Sequence, residues 1–225
     1  MAIDHSKTYR EVKIRNIPHI LRKRAIEKQI QKLPKNMESY ADFGCSNGYL
    51  TSMVSSIINA NATFGFDHSE NIEVAKNEYP SMNFDYLDLN IITKFQEKFD
   101  VITCFETLEH VGSITNAVKT IRSASHVNSV VLISVPIEIG VVGILKYILK
   151  RFLLKYDLPL TSGDLPYFKS LVIGNDISKF RPPASGYGSH FGFDYRLVDK
   201  IVSSEFTNYK VEKWNSFTTR FYLIH

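Results

Sequence analysis

The sequence predicts an α/β fold: an open sheet, mostly parallel, with helices on both faces and an antiparallel hairpin at its C-terminal edge. Three observations predict it. Short apolar runs alternate with segments of helical period from residue 39 to residue 136. A glycine-punctuated turn, Gly44 to Gly48, follows the first run and opens a helix. An acidic residue, Asp67, closes the second run about twenty positions further on, the spacing of a βαβ unit that presents a carboxylate beside a ligand. In such sheets the ligand lies at the carboxyl ends of the strands.

The chain of 225 residues, 44% hydrophobic and 22% charged, is long enough for one good core, so residues 1–225 are expected to form a single domain with one excursion. The net charge of +4 is too small to imply nucleic acid, and Lys and Arg gather only in Arg10 to Lys35 and Lys146 to Lys155. Two cysteines, Cys45 and Cys104, each at a strand end, do not make a disulfide framework. The N-terminal residues lack the apolar run of a signal peptide, which gives a cytoplasmic expectation. The apolar stretch Val130 to Leu149 is interrupted by Pro136, Glu138 and two glycines and is not read as a span.

Taken in order, residues 17–33 read as an N-terminal helix, with Pro18 in its first turn and Ile20, Leu21, Ile26, Ile30 and Leu33 at roughly helical spacing. It covers the sheet or the ligand, and its basic residues read as a solvated face. Ser39 to Phe43 is the first strand, and Asn47 to Ile58 the next helix, with Leu50, Val54, Ile57 and Ile58 on one side. Ala62 to Asp67 is the second strand. Asp67 suits the paired hydroxyls of a ribose, or caps the helix Asn71 to Tyr79. Met82 to Leu87 is the third strand, and Lys98 to Phe105 the fourth, apolar enough for burial on both faces. A helix from Ser113 to His126 leads to the fifth strand, Val130 to Pro136.

The alternation breaks over residues 137–190. Val141 to Tyr156 reads as a basic amphipathic helix with Ile144, Leu145, Ile148, Leu149 and Phe152 on one side and Lys146 and Lys150 on another. Asp157 to Gly188, rich in Pro, Gly, Ser and Asp, reads as a loop, and so long an irregular stretch suggests a lid over an acceptor site. A helix with both basic and apolar sides also allows weak contact of residues 141–156 with an anionic membrane surface. Asp194 is expected to cap a helix from Tyr195 to Phe206, followed by the edge hairpin of Asn208 to Lys213 and Phe217 to Ile224.

The runs Asp42-Phe43-Gly44-Cys45-Ser46-Asn47-Gly48, Phe66-Asp67, Asp88-Leu89, Phe99 to Ile102 through Glu109-His110-Val111, Ile133 to Pro136 and His190 to Tyr195 together resemble the class I S-adenosylmethionine-dependent methyltransferases. Within that family they are similar to the small-molecule branch that includes the ubiquinone-biosynthesis O-methyltransferases. The resemblance covers roughly residues 38 to 136 and 190 to 225 and implies a Rossmann-like sheet and S-adenosyl-L-methionine as cofactor. Ser46 departs from the family's usual glycine. A dinucleotide turn starting at Gly44 would need glycines at Ser46 and Tyr49, so the departure weighs more against that reading.

The resemblance implies that Asp42, Phe43, Gly44, Cys45, Ser46, Asn47 and Gly48 hold the methionine end of the cofactor. It implies Asp67, with His68 beside it, for the ribose hydroxyls, Asp88 and Leu89 for the adenine edge, and Phe105 and Glu106 for the pocket near the sulfonium. A cationic sulfonium favours acidic and aromatic surroundings. Cys45 and Cys104 read as pocket-wall residues. A hydroxyl acceptor needs a general base, for which His110 and His190 are the candidates; each also reads as a structural contact. The acceptor is expected to be a small molecule, a glycan or a lipid-linked intermediate. Nucleic acid is disfavoured because Phe105-Glu106-Thr107-Leu108 lacks the Pro-Pro-aromatic run of base methyltransferases. A cofactor-binding module without catalysis is the remaining alternative.

Overall fold

The computed structural model describes residues 17–153, 164–181, 191–216 and 218–225. Seven strands form one sheet: β1 (Ser39–Phe43), β2 (Ala62–Asp67), β3 (Asn83–Tyr86), β4 (Phe99–Phe105), β5 (Ser125–Pro136), β6 (Val211–Ser216) and β7 (Thr219–Ile224). Their order is β3-β2-β1-β4-β5-β7-β6. The first five are parallel, β7 runs antiparallel to β5, and β6 pairs antiparallel with β7 at the edge. The chain moves outward from β1 in one direction through β2 and β3, then returns to β4 on the other side. The carboxyl ends of β1 and β4 therefore bound the crevice at which such sheets hold ligands.

Seven α-helices accompany the sheet among the described residues: α1 (Ile17–Ile30), α2 (Tyr49–Ile58), α3 (Asn71–Glu78), α4 (Ile114–Ser123), α5 (Gly140–Ile148), α6 (Asp164–Ile173) and α7 (Tyr195–Glu205). Alternation along β1 divides the core. Ala41 and Phe43 face a cluster with Ile102, Cys104, Val118, Ile121, Val198 and Val202, beneath α4 and α7. Tyr40 faces the other way, to Ile26, Ile30, Val54, Ile58 and Phe221, beneath α1 and α2. Phe99 and Ile102 share a face although three positions apart, because the register against β5 shifts between Phe99 and Val101.

Some sequence expectations shift. The helix expected to reach His126 ends at Ser123. The Ser123 hydroxyl donates to the Thr120 carbonyl (2.8 Å) and that of Ser125 to the Arg122 carbonyl (2.9 Å), and β5 already begins at Ser125. The edge strand expected at Asn208 to Lys213 is Val211–Ser216, because Lys210 pairs through its backbone with the terminal His225. Asp194 caps α7 as expected, accepting from the Arg196 N–H at 3.0 Å.

The excursion is more ordered than a loop. α5 runs into a wide turn, Leu149–Leu153, and α6 lies inside the stretch expected to be irregular. Pro166 in the first turn of α6 is compatible with a helix start, and Tyr167, Ser170 and Leu171 form a buried stripe at helical spacing that the surrounding Pro, Gly and Ser residues obscure. Tyr147 of α5 joins Tyr167, Leu171, Ile177 and Phe180 in a small core of its own. Gly143 of α5 is closely covered: a Cβ there would stand 2.3 Å from the Glu138 carbonyl oxygen just before the helix and 3.2 Å from the Leu171 side chain of α6. Lys146, expected on a solvated basic face, instead donates to the Ile137 carbonyl (2.9 Å) and the Glu138 carboxylate (2.8 Å). The side chain of Lys150 lies outside the described residues. No described helix is long and apolar enough to cross a membrane.

Candidate functional site

The turn between β1 and α2 is shaped from both sides. Gly44 adopts φ +87°, and a Cβ on it would lie 2.0 Å from the Thr107 hydroxyl, so the turn after β4 comes closer than any other residue allows. The N–H groups of Gly44 and Cys45 both donate to the Phe66 carbonyl, at 2.7 and 3.1 Å. Ser46 takes the left-handed conformation too, at φ +48°. Its N–H donates to Asp67 Oδ2 (2.8 Å), and Asn71 donates to its hydroxyl (3.0 Å). The serine that departs from the usual glycine thus binds the turn to the end of β2.

Asp67 also accepts from the Ser69 N–H at 2.8 Å. Glu70, not Asp67, holds the N-cap position of α3, so the capping alternative fails. Each carboxylate oxygen of Asp67 keeps a lone pair for a ligand hydroxyl. Asp42 is nearly inaccessible and accepts from the hydroxyls of Thr51 (2.6 Å) and Thr103 (2.7 Å). The Thr103 hydroxyl proton is committed to Asp42, so the Tyr40 phenol, 2.6 Å away, donates to Thr103. Burial, opposed by the two threonine bonds, raises the Asp42 pKa to about 6.

Around these groups lies a cavity of about 520 Å³, lined among others by Asp42, Gly44, Cys45, Ser46, Asn47, Asp67, His68, Leu89, Phe105, Glu106 and His110. Three carboxylates line it and no lysine or arginine does. Of the residues expected from sequence, Phe43, Gly48 and Asp88 do not line it. Phe43 stacks on Phe66 in the core (5.3 Å between centroids), Gly48 is pressed by Phe84, and Asp88 accepts from the Asn90 N–H at 2.8 Å. Cys45 reaches the cavity, whereas Cys104 is core, and burial pushes both thiols well above their ordinary pKa. His190 lies outside the described residues.

Sequence reasoning missed Tyr49, Leu50, Ser69, Asn71, Leu87 and Thr107 in the lining, and Arg22 behind it. Arg22 is not solvated: its Nη1 stands 2.8 Å from Glu106 Oε2, with both side chains mostly buried. The available signal was its spacing, since Arg22, Ile26 and Ile30 follow one another at i, i+4 and i+8 on the buried side of α1. Glu106 is held in the left-handed region, φ +51°, where its N–H donates to the Ser134 carbonyl and its carboxylate accepts from the Ser134 hydroxyl, both at 3.0 Å. Next along the turn, Glu109 is 2% exposed, and burial beside Glu106 raises its pKa well above the usual carboxylate range. His110 is partly exposed at the cavity wall, its Nε2 3.8 Å from Glu109. No group of three His, Cys, Asp or Glu among the described residues could hold a metal ion.

A profile of the methyltransferase domain family matches residues 16–156, well over half of the chain. The chain belongs to the methyltransferase domain family. Ubiquinone biosynthesis O-methyltransferase of Coxiella burnetii is 36% identical over 104 residues, which are 44% of this chain and 42% of that protein. Putative methyltransferase 235L of Invertebrate iridescent virus 6 is 32% identical over 65 residues, 28% of this chain and 24% of that protein. The chain thus matches less than half the length of these curated relatives. Among solved structures, an S-adenosylmethionine-dependent methyltransferase from Clostridium acetobutylicum superposes with TM-score 0.59 at 14% identity, over 98% of this chain and 96% of that one. A SAM-dependent methyltransferase from Aquifex aeolicus gives 0.58 at 11% identity, over 99% and 98%. At such identities the likeness is one of fold. The methyltransferase-domain match ends at residue 156, inside the excursion, so α6 and the segment after it lie beyond the matched family pattern.

Proposed function

We propose that this methyltransferase-domain protein binds S-adenosyl-L-methionine across the Gly44 to Gly48 turn and methylates a hydroxyl of a small-molecule acceptor. The observation that carries the reading is the cavity lining, three carboxylates and no lysine or arginine at a glycine turn. Such a lining suits a cationic sulfonium and ammonium and opposes a pyrophosphate. The bound cofactor supplies an electrophilic methyl group. The residues of this chain hold it: Asp67 takes the ribose hydroxyls and the Asp42 end of the turn takes the amino acid portion. Phe105 and Glu106 bound the sulfonium end.

Most of the acceleration then comes from alignment of acceptor and methyl group in a site that excludes water. His110, at the wall of the same cavity, takes the hydroxyl proton. Burial beside Glu106 disfavours the ionised form of Glu109 and so opposes that role for it. The likeness to an O-methyltransferase of ubiquinone biosynthesis supports a hydroxyl acceptor. The exposed apolar residues Val141 and Leu145 of α5 and Phe152 of the wide turn after it support one with an apolar or lipid-linked tail.

Titration calorimetry with S-adenosylmethionine, S-adenosylhomocysteine and a reduced nicotinamide dinucleotide tests the cofactor, and transfer of labelled methyl to a panel of phenols, catechols and amines tests the acceptor. Binding of both adenosyl compounds and labelling confined to hydroxyl acceptors is the expected result. Binding of the dinucleotide alone overturns the reading.

A further inference from the structure

Arg181 stands at the end of the excursion, just past the short 3-10 turn Ser178–Phe180. Among the described residues it makes no salt bridge. Its Nη2 donates to two main-chain carbonyls of the turn after β4, Glu109 at 2.7 Å and Val111 at 3.0 Å. These are the carbonyls of the residues on either side of His110. The His110 N–H in turn donates to the Thr107 carbonyl at 2.9 Å and the Gly112 N–H to Asn90 Oδ1 at 2.7 Å, so Arg181 takes the carbonyl side of two peptide units whose N–H sides are already bonded. Arg181 is itself held from behind: Gly192, at φ +73°, lies so close that a Cβ there would be 2.6 Å from the Arg181 backbone nitrogen.

We propose that Arg181 is the positioning residue for His110, so that the excursion carrying α5 and α6 sets the orientation of the imidazole at the cavity wall. Two carbonyls that point at one guanidinium nitrogen lose their shared donor when Arg181 is removed, and the peptide units 109–110 and 111–112 are then held only through their N–H groups, His110 to the Thr107 carbonyl and Gly112 to Asn90 Oδ1. A neighbouring anchor does not replace it, because Arg196, the other arginine that reaches across chain segments there, donates to the Gly174 and Asn175 carbonyls and to Asp194. The arrangement also links the core of the excursion to His110. Whatever seats the segment bearing Ile177 and Phe180 against Tyr147 and Tyr167 brings Arg181 to the turn. The inference rests on the reading of His110 as base for its catalytic meaning, but not for its structural one.

The test is nuclear magnetic resonance of the full chain with labelled histidine, the His110 signal being assigned by its loss in His110→Gln. In Arg181→Ala, with S-adenosylhomocysteine bound, the His110 imidazole signal is expected to shift and broaden. The signals of His68 and His126 stay in place, and affinity for S-adenosylhomocysteine stays within about twofold. Arg181→Lys, which keeps a cationic donor, is expected to return the signal most of the way. A His110 signal unchanged in a folded Arg181→Ala protein overturns the proposal, as does equal disturbance of all histidines, which marks general loosening. If Arg181→Ala fails to fold, Arg181→Lys and Arg181→Gln decide together: a His110 signal displaced in the glutamine variant but close to wild type in the lysine variant supports the proposal, and the same signal in both overturns it. Full turnover of His110→Gln on a hydroxyl acceptor would refute the base role without touching these signals, so the two failures are distinguishable.

Discussion

Asp42 offers the sharpest test, because its proton is set by burial and its function by charge. Its pKa of about 6 means that about half of the molecules carry the proton at pH 6 and few do above pH 7. A cofactor bearing a positive sulfonium and ammonium favours the ionised carboxylate, so binding expels that proton. Calorimetry in two buffers of different ionisation enthalpy should therefore record up to about half a proton released per S-adenosylmethionine at pH 6, and close to none at pH 7.5. In Asp42→Asn the release attributable to this group disappears, while the amide can still meet the hydroxyls of Thr51 and Thr103.

The same shift has a sign in stability. The folded pKa of about 6 lies above the ordinary carboxylate value near 3.8, so the contribution is fully present below the unfolded pKa and is lost as pH rises through about 6. The full span corresponds to about 3 kcal/mol, at ~1.36 kcal/mol per pKa unit. Urea unfolding of the wild type and Asp42→Asn from pH 4 to pH 7.5 should show the difference in stability between them moving by about that amount. Parallel stability profiles, together with equal proton release from both proteins at pH 6, would refute the reasoning.

Further outcomes follow from the same geometry. Asp67→Ala should weaken S-adenosylhomocysteine binding by about tenfold to a hundredfold in calorimetry, the scale of hydrogen bonds to a charged group, in a chain that remains folded. His110→Ala should lower turnover on a hydroxyl acceptor by roughly a hundredfold, with cofactor affinity within about twofold; near-normal labelling of the acceptor would assign the proton to another group. The exposed apolar side of α5 should carry the protein onto neutral and anionic liposomes alike, with little salt dependence, because Lys146 is turned inward to Glu138 and Arg151 is paired with Asp164. Flotation lost in Phe152→Glu supports this contact, worth about 1.5–3 kcal/mol for a buried aromatic side chain; binding confined to anionic vesicles at low salt contradicts it.

How much was legible in the sequence depended on whether a local rule or a distant partner decided the structure. The strand runs at Ser39 and Ala62 start and stop as read, because their hydrophobic patterns are decided locally and confirmed by parallel neighbours. The glycine turn was legible for the same reason: a left-handed residue at a close approach calls for glycine. α6 was not, since its buried stripe of Tyr167, Ser170 and Leu171 has meaning only against Tyr147, and composition pointed the other way. Lys146 and Arg22 were misread together. A basic residue on a helix is solvated by default, and only the buried carboxylates of Glu138 and Glu106, more than eighty positions from Arg22 in the second case, reverse that default.

Arg22 is one of three distant anchors on a single turn. Arg22 arrives from α1, Ser134 from β5 and Arg181 from the far end of the excursion, and all three bond to the turn after β4 that carries Glu106 and His110. A turn in the left-handed conformation at a glutamate costs about 1–2 kcal/mol, and a buried carboxylate beside another is costly again. Such a turn persists only where the surroundings over-determine it. The turn after β4 is thus anchored from α1, β5 and the excursion, whereas the Gly44 to Gly48 turn, with Asp42 before it, is anchored from β2, β4 and the turn after β4. On the proposed reading, variation in α1 or in the excursion reaches the acceptor side through Arg22 and Arg181, while the bond of Ser46 to Asp67 holds the Gly44 to Gly48 turn to β2.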